Sequence, residues 1–260
     1  MRGWTGLYRT SVGLGLGHLL RHGYEREAVI RVVVPLDPSR YLELPYALEE
    51  LHAAPGERVL DLASPKLLAV ALARRGVRVT SVDELASEVE SWRRLAADEP
   101  NLELEVGDGR KLAQADASFD HAYSVSVLEH IPERGDGEAL RELARVVRPG
   151  GRVVLTLPHA REARDEYRDR PLYADHGPSA AGGRYFFQRW YDPARVDALL
   201  AQAPALELER RSVVRLQPNL NAAYNRLFPW LVPLGPLFGL AARERADPDG
   251  DVVRLTLGRR

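Results

Sequence analysis

The sequence predicts an α/β fold, a mostly parallel seven-stranded sheet with helices on both faces. Three observations carry this expectation. From Pro55 to Pro158, short apolar runs alternate with longer helix-like ones, the rhythm of strand–helix–strand units with right-handed crossovers. Gly76, Pro149 and Gly150 punctuate the joints, as turn residues do between regular elements. Asp61, Asp83 and Asp108 fall at the ends of three successive apolar runs, and the carboxyl edge of a parallel sheet is where such folds bind ligands.

Composition sets the frame. The 260 residues suffice for one large domain and are marginal for two. The expected organisation is one domain over 1–260: an N-terminal helical or lid extension (1–55), a core (56–158), and a substrate-side part (159–260) holding an apolar Pro-rich segment and the last strands. Apolar residues make up 45% and charged residues 28% of the chain, enough for a sizeable core and unlike a disordered segment. A net charge of -1 argues against a general nucleic-acid binder, which carries a basic excess. The absence of cysteine excludes disulfides, thiolate nucleophiles and Cys-based metal sites. It fits a cytoplasmic setting, as does an opening stretch without a secretory h-region and cleavage site. Only two of the 36 basic residues, Lys66 and Lys111, are lysine.

Each element has its own justification. Leu7–Leu20 reads as a helix, despite Gly13, Gly15 and Gly17, which cost about 1 kcal/mol each there. Ala28–Val34 is short and β-branched, and is expected as a strand or extended arm. Ser39 is a fair N-cap for a helix through RYLELPYALEELH, in which Pro45 introduces a kink or a later start. Then follow strand Arg58–Leu62, helix Leu67–Arg75 stopped by Gly76, strand Val77–Val82 and helix Leu85–Ala97. Strands Leu102–Val106 and Phe119–Val125 come next, then helix Gly137–Val147 and strand Arg152–Leu157. After Pro158 an Arg/Asp/Tyr-rich stretch runs to about Arg189. Helix Pro193–Gln202 and strands Leu206–Val214 and Val252–Leu257 complete the set.

Three carboxylates on one sheet edge suit the hydrogen-bond donors of a ligand: an ammonium, ribose hydroxyls, an adenine amino group. Aspartate also favours turns after strands, so any one of the three alone says little. Their order says more. The segments VLDLASPK (59–66), VTSVDE (79–84), GDGRKL (107–112), FDHAYSVSVLEHI (119–131) and LRELARVVRPGGRVVLTLP (140–158) resemble the ordered motifs of class I S-adenosylmethionine (SAM)-dependent methyltransferases, in particular those of the type 11 group.

The resemblance implies a Rossmann-like fold, SAM as cofactor and a small-molecule or lipid-like acceptor. It implies that Asp61 and the loop Ala63, Ser64, Pro65 and Lys66 hold the methionine part of SAM. Asp83, with Glu84 beside it, would take the ribose hydroxyls. Asp108, Gly109 and Arg110 would take the adenine, and Ser124, Val125 and Ser126 the floor beside the sulfonium. Glu129 and His130 would open the acceptor side, with His159 an alternative base and Arg40 and Tyr41 as lid residues. Packing readings stand beside these: His130 against the sheet edge, Glu129 as a cap, Tyr41 half-buried.

One departure is plain. The family's first loop usually reads acidic-x-Gly-x-Gly-x-Gly, whereas here it is Asp61-Leu62-Ala63-Ser64-Pro65-Lys66. Two outcomes are open: a cofactor site rebuilt on Ser64, Pro65 at the helix start and the Lys66 cation, or a degenerate loop on a non-catalytic scaffold. The run Gly13-Leu14-Gly15-Leu16-Gly17 lacks a preceding strand and GxGxxG spacing, which speaks against a nicotinamide enzyme. Histidine spacing offers no metal site. The segment 161–190 supplies aromatic walls for an acceptor through Tyr167, Tyr173, Tyr185, Phe186, Phe187, Trp190 and Tyr191. Leu227–Ala242 is uncharged but too short and Pro-rich to span a bilayer; core closure, a dimer contact and a weak interfacial membrane contact all fit it.

Overall fold

The computed structural model describes residues 3–37, 40–170, 183–217 and 243–260. It opens with a helical hairpin, α1 (Gly3–His22) and α2 (Arg26–Val33), turned at Gly23 with φ +84°. The strand expected over Ala28–Val34 is therefore a helix, and the reason lies on α1. A Cβ at Gly15 would stand 2.4 Å from the Ala28 carbonyl oxygen, so the absent side chain lets the helices close on one another. Ser11 Oγ donates to the Arg31 carbonyl across the seam (3.0 Å). Tertiary packing outweighs the β-propensity of a valine-rich run.

Helix α3 (Arg40–Glu50) contains Pro45 and buries every residue from Tyr41 to Leu48. The alternating core follows: β1 (Arg58–Leu62), α4 (Leu67–Ala73), β2 (Arg78–Asp83), α5 (Ala86–Leu95), β3 (Leu102–Val106), β4 (Phe119–Val125), α6 (Gly135–Val146) and β5 (Val147–Pro158). Strand β5 begins at Val147 rather than at Arg152, with Gly150 at φ +79°. A Cβ on Gly151 would meet the Asp120 carbonyl oxygen at 2.1 Å, so glycine lets β5 run close to β4.

The polar stretch after Pro158 folds as an antiparallel hairpin, β6 (Arg164–Arg168) and β7 (Tyr185–Trp190). Helix α7 (Pro193–Leu200) is capped by Asp192, which accepts from the Arg195 N–H at 2.8 Å. Strands β8 (Leu206–Gln217), β9 (Arg243–Ala246) and β10 (Val252–Arg259) complete the sheet. Its order is β3-β2-β1-β4-β5-β10-β8-β9: the seven expected strands plus the short edge strand β9. The first five run parallel, whereas β10 is antiparallel to both β5 and β8.

Strand order reverses between β1 and β4, which opens a crevice at their carboxyl ends. One apolar cluster joins α1, α3, α4 and α5 to one sheet face, and a second joins α6 and α7 to the other. Among the described residues no helix is long and apolar enough to cross a membrane. Ser39, Tyr173 and the segment Leu227–Ala242 lie outside the described residues.

Candidate functional site

The loop after β1 shows how a glycine-free sequence holds a glycine-like path. Ala63 sits at φ +52°, a conformation that costs an L-residue about 1–2 kcal/mol. Its neighbours hold it there. The Ala63 N–H bonds the Val82 carbonyl (2.8 Å), and the Ser64 N–H bonds Asp61 Oδ1 (3.1 Å). Ser64 Oγ accepts from the Val125 N–H (2.9 Å) and donates to the Leu62 carbonyl (3.3 Å). Pro65 stands two residues ahead of the first helical residue, Leu67, rather than at it.

Asp61 is fully buried; Ser81 Oγ donates to its Oδ2 at 2.7 Å. Burial pushes its carboxyl pKa up against the Lys66 charge and the serine hydrogen bonds. It supports the loop from below and is not on the cavity wall. Lys66, only 1% exposed, donates to Asp83 Oδ2 (2.7 Å) and to the Ser64 carbonyl (3.0 Å). The cation expected to be free for a ligand carboxylate is thus paired with the aspartate at the end of β2. Asp83 Oδ1 accepts the Leu85 N–H at 3.0 Å.

A cavity of about 400 Å³ lies over this edge. Ala63, Ser64, Pro65, Lys66, Asp83, Glu84, Asp108, Gly109, Val125 and Ser126 all border it. The β3 loop needs its glycines there, since a Cβ on Gly107 would meet Val82 at 2.9 Å and one on Gly109 would meet Leu62 at 2.6 Å. Arg110 does not reach the cavity. It clamps Asp108 through Nε (2.9 Å) and Nη2 (2.8 Å), and this hydrogen bonding holds the Asp108 carboxyl below its ordinary range. Ser124 turns its hydroxyl to the Leu62 carbonyl (3.2 Å) and stays buried.

The far end of the cavity is set by a single 3-10 turn, Leu128–His130, after β4. His130 borders the cavity. Its Nδ1 lies 2.7 Å from the Phe187 carbonyl on β7, and a carbonyl only accepts, so Nδ1 carries the proton and Nε2 keeps its lone pair. Burial lowers the His130 pKa, which favours the neutral ring. Glu129 lies behind it, with Oε1 3.8 Å from His130 Nε2. Glu129 Oε2 is buried without a hydrogen-bond partner, and burial pushes the carboxyl up to about 8.

His159 and Tyr41 are not brought to this site. His159 Nδ1 bonds the Gly250 carbonyl (2.9 Å), and Tyr41 is buried with its ring 5.4 Å from Trp4. Arg40 does border the cavity. Its Nη1 donates at 2.7 Å to Glu43, a buried residue that sequence reasoning missed. Glu43 also accepts from Thr156 Oγ1 (3.0 Å) and from Ser126 Oγ, tying α3 to the cavity floor. Its one sequence signal is a carboxylate inside the apolar run YLELPYA. Among the described residues no His/Asp/Glu group could hold a metal ion.

Comparisons with known proteins bear on the fold and on the core segment. Residues 60–155 match the family model described as a methyltransferase domain. A demethylmenaquinone methyltransferase of Beutenbergia cavernae is 40% identical over 109 residues, covering 42% of this chain and 43% of that protein. A ubiquinone biosynthesis O-methyltransferase of Alkalilimnicola ehrlichii is 33% identical over 128 residues, covering 47% and 50%. The chain spans half or less of the length of these curated relatives. A solved structure of geranyl diphosphate methyltransferase in complex with SAM shares the fold at TM-score 0.58 and 16% identity, over 92% of this chain and 91% of that one.

Proposed function

We propose that this chain, whose residues 60–155 match the methyltransferase-domain family model, is a class I methyltransferase that transfers a methyl group from SAM to a hydroxyl of a small or lipid-like acceptor. The observation that carries this reading is a single cavity with two unlike ends. One holds Asp83, Asp108 and Gly109 at successive strand ends, and the other presents His130 with a free Nε2 lone pair.

The cavity chemistry fits SAM. Its wall carries six carboxylates (Glu27, Asp37, Asp83, Glu84, Glu88, Asp108) against three cations (Arg31, Arg40, Lys66), a balance that favours a ligand of net positive charge. SAM, when bound, supplies an electrophilic methyl on a sulfonium sulfur. Asp83, steadied by Lys66 and the Leu85 N–H, would accept from the ribose hydroxyls. Asp108 would accept from the adenine amino group, with Gly109 leaving room for the ring. Val125 and Ser126 would form the floor. His130 Nε2 would take the acceptor's hydroxyl proton as the oxygen attacks, while Phe187 holds the ring's tautomer and orientation. Apolar Leu44, Val127 and Ile131 on the same wall keep water from the reacting oxygen.

Transfer of label from methyl-labelled SAM to phenolic, enolic and amine acceptors tests the proposal. The expected product is a methyl ether, lost with His130→Gln while SAM binding persists. Label on none of the three classes, with SAM bound, would remove the activity. A second reading draws on the Lys66–Asp83 ion pair, which closes the loop on itself without a ligand. On that reading the chain is a non-catalytic scaffold, and SAM gives no thermal shift.

A further inference from the structure

A second pocket, of about 410 Å³, opens between α1, α3 and the carboxyl end of α4. It shares no lining residue with the cavity over the strand ends. Its floor is apolar, with Leu7, Leu48 and Ala71 buried there. Its rim is cationic. Arg9, Arg74 and Arg75 line it, and no carboxylate does.

The three cations are unequally matched. Arg74 donates through Nε to Glu99 at 2.7 Å, so its charge is already balanced. Arg9 and Arg75 are exposed, and among the described residues neither side chain has a hydrogen bond or an ion pair. Glu49 stands against Gly3, one helical turn before Gly6, and is outside the lining. Like charges gathered without a counter-charge repel one another. A helix C-terminus favours cations beside it, which accounts for Arg74 and Arg75 but not for Arg9, in the first half of α1. Gly6, also on the rim, is a poor helix former, and a Cβ there would meet nothing within 4 Å. Packing does not require that glycine; its effect is to leave the mouth open.

Guanidinium groups match phosphate oxygens bidentately, and two of them balance a phosphate monoester, whose charge is about −1.5 to −2 near neutral pH. The apolar floor suits a hydrocarbon body rather than a bare inorganic ion. We propose that Arg9 and Arg75 bind the phosphate of a small soluble phosphate monoester whose apolar body rests on Leu7, Leu48 and Ala71. This site does not depend on the methyltransferase reading.

Calorimetric titration of the full chain with n-hexyl phosphate, inorganic phosphate and n-hexanol tests it. Hexyl phosphate should bind with a Kd below about 1 mM, inorganic phosphate about tenfold more weakly, and hexanol not measurably. Arg9→Gln/Arg75→Gln should weaken hexyl phosphate binding about tenfold or more. Its melting temperature should stay that of the wild type, because neither side chain is bonded to the rest of the described fold. Gly6→Leu, which fills the mouth and keeps both cations, should weaken binding to a similar degree. Equal affinity of the wild type and the double arginine variant, or no binding of hexyl phosphate at about 10 mM, overturns the site. So does capture of the wild type by vesicles containing phosphatidic acid without binding of hexyl phosphate, since the arginines would then serve a membrane face.

Discussion

The two ends of the cavity are built by opposite rules. At the cofactor end every carboxylate on the strand tips has a bonded partner: Asp61 has Ser81 and the Ser64 N–H, Asp83 has Lys66 and Leu85, and Asp108 has Arg110. At the acceptor end, Glu129 keeps an oxygen buried with no partner and His130 keeps a bare Nε2. The first end is satisfied and so can be rigid; the second holds a carboxyl oxygen and a ring nitrogen without hydrogen-bond partners, as a group that is to exchange a proton requires. A preorganised cradle and a poised base can thus share one cavity when different elements supply them.

Breaking the Lys66–Asp83 pair should have the largest effect. Asp83→Ala leaves a buried ammonium unpaired, at a cost of about 3–5 kcal/mol, measurable by denaturant unfolding. Lys66→Met/Asp83→Ala should recover most of that stability without recovering SAM binding. A single variant as stable as the wild type would mean that the pair does not hold the loop.

Glu129→Gln sharpens the contrast from the other side. The folded carboxyl titrates near 8, above its unfolded value, so the folded state holds a proton that the unfolded state loses above about pH 4.5. Stability should therefore fall as pH rises from about 4.5 to 8 and then level off, by on the order of 5 kcal/mol at full development. The glutamine variant should show a flatter profile and a higher melting temperature than the wild type at pH 8. Parallel profiles would deny the buried neutral acid.

His130→Gln should lower kcat about 10²–10³-fold with SAM affinity unchanged. Because burial lowers the His130 pKa, the wild-type acid limb should lie below the ordinary histidine value of about 6.5, and steady-state rates against pH would locate it. The smallest effect belongs to Ala63→Gly. Relief of the φ +52° backbone is partly offset by a freer unfolded chain, leaving a gain of about 0.5 kcal/mol with little change in SAM binding.

The placement of the three strand-end carboxylates was legible in the sequence because it is local. Asp61, Asp83 and Asp108 follow short apolar strands, and a parallel sheet puts strand ends on one edge. The seven strands were legible for the same reason. The acceptor end was not, because its geometry is assembled from afar. The carbonyl that fixes the His130 tautomer belongs to Phe187, 57 residues on, and Ser126 and Thr156 meet a glutamate 83 and 113 residues earlier. Nothing local reports such meetings. Helix α2 was misread because its reason, Gly15, sits on another helix. Lys66 was singled out correctly as unusual, but its partner depends on a distance across two strands that spacing alone does not give.

On the reading proposed above, a glycine-free loop, held by its own hydrogen bonds and the Lys66–Asp83 pair, still forms a SAM site. Calorimetric titration of SAM into the wild type and into Asp83→Asn, which keeps the side chain's shape, tests it most directly. A Kd on the order of micromolar is expected for the wild type, and binding about a hundredfold weaker for the variant. Equal affinities, or no binding by the wild type at about millimolar SAM, would contradict it.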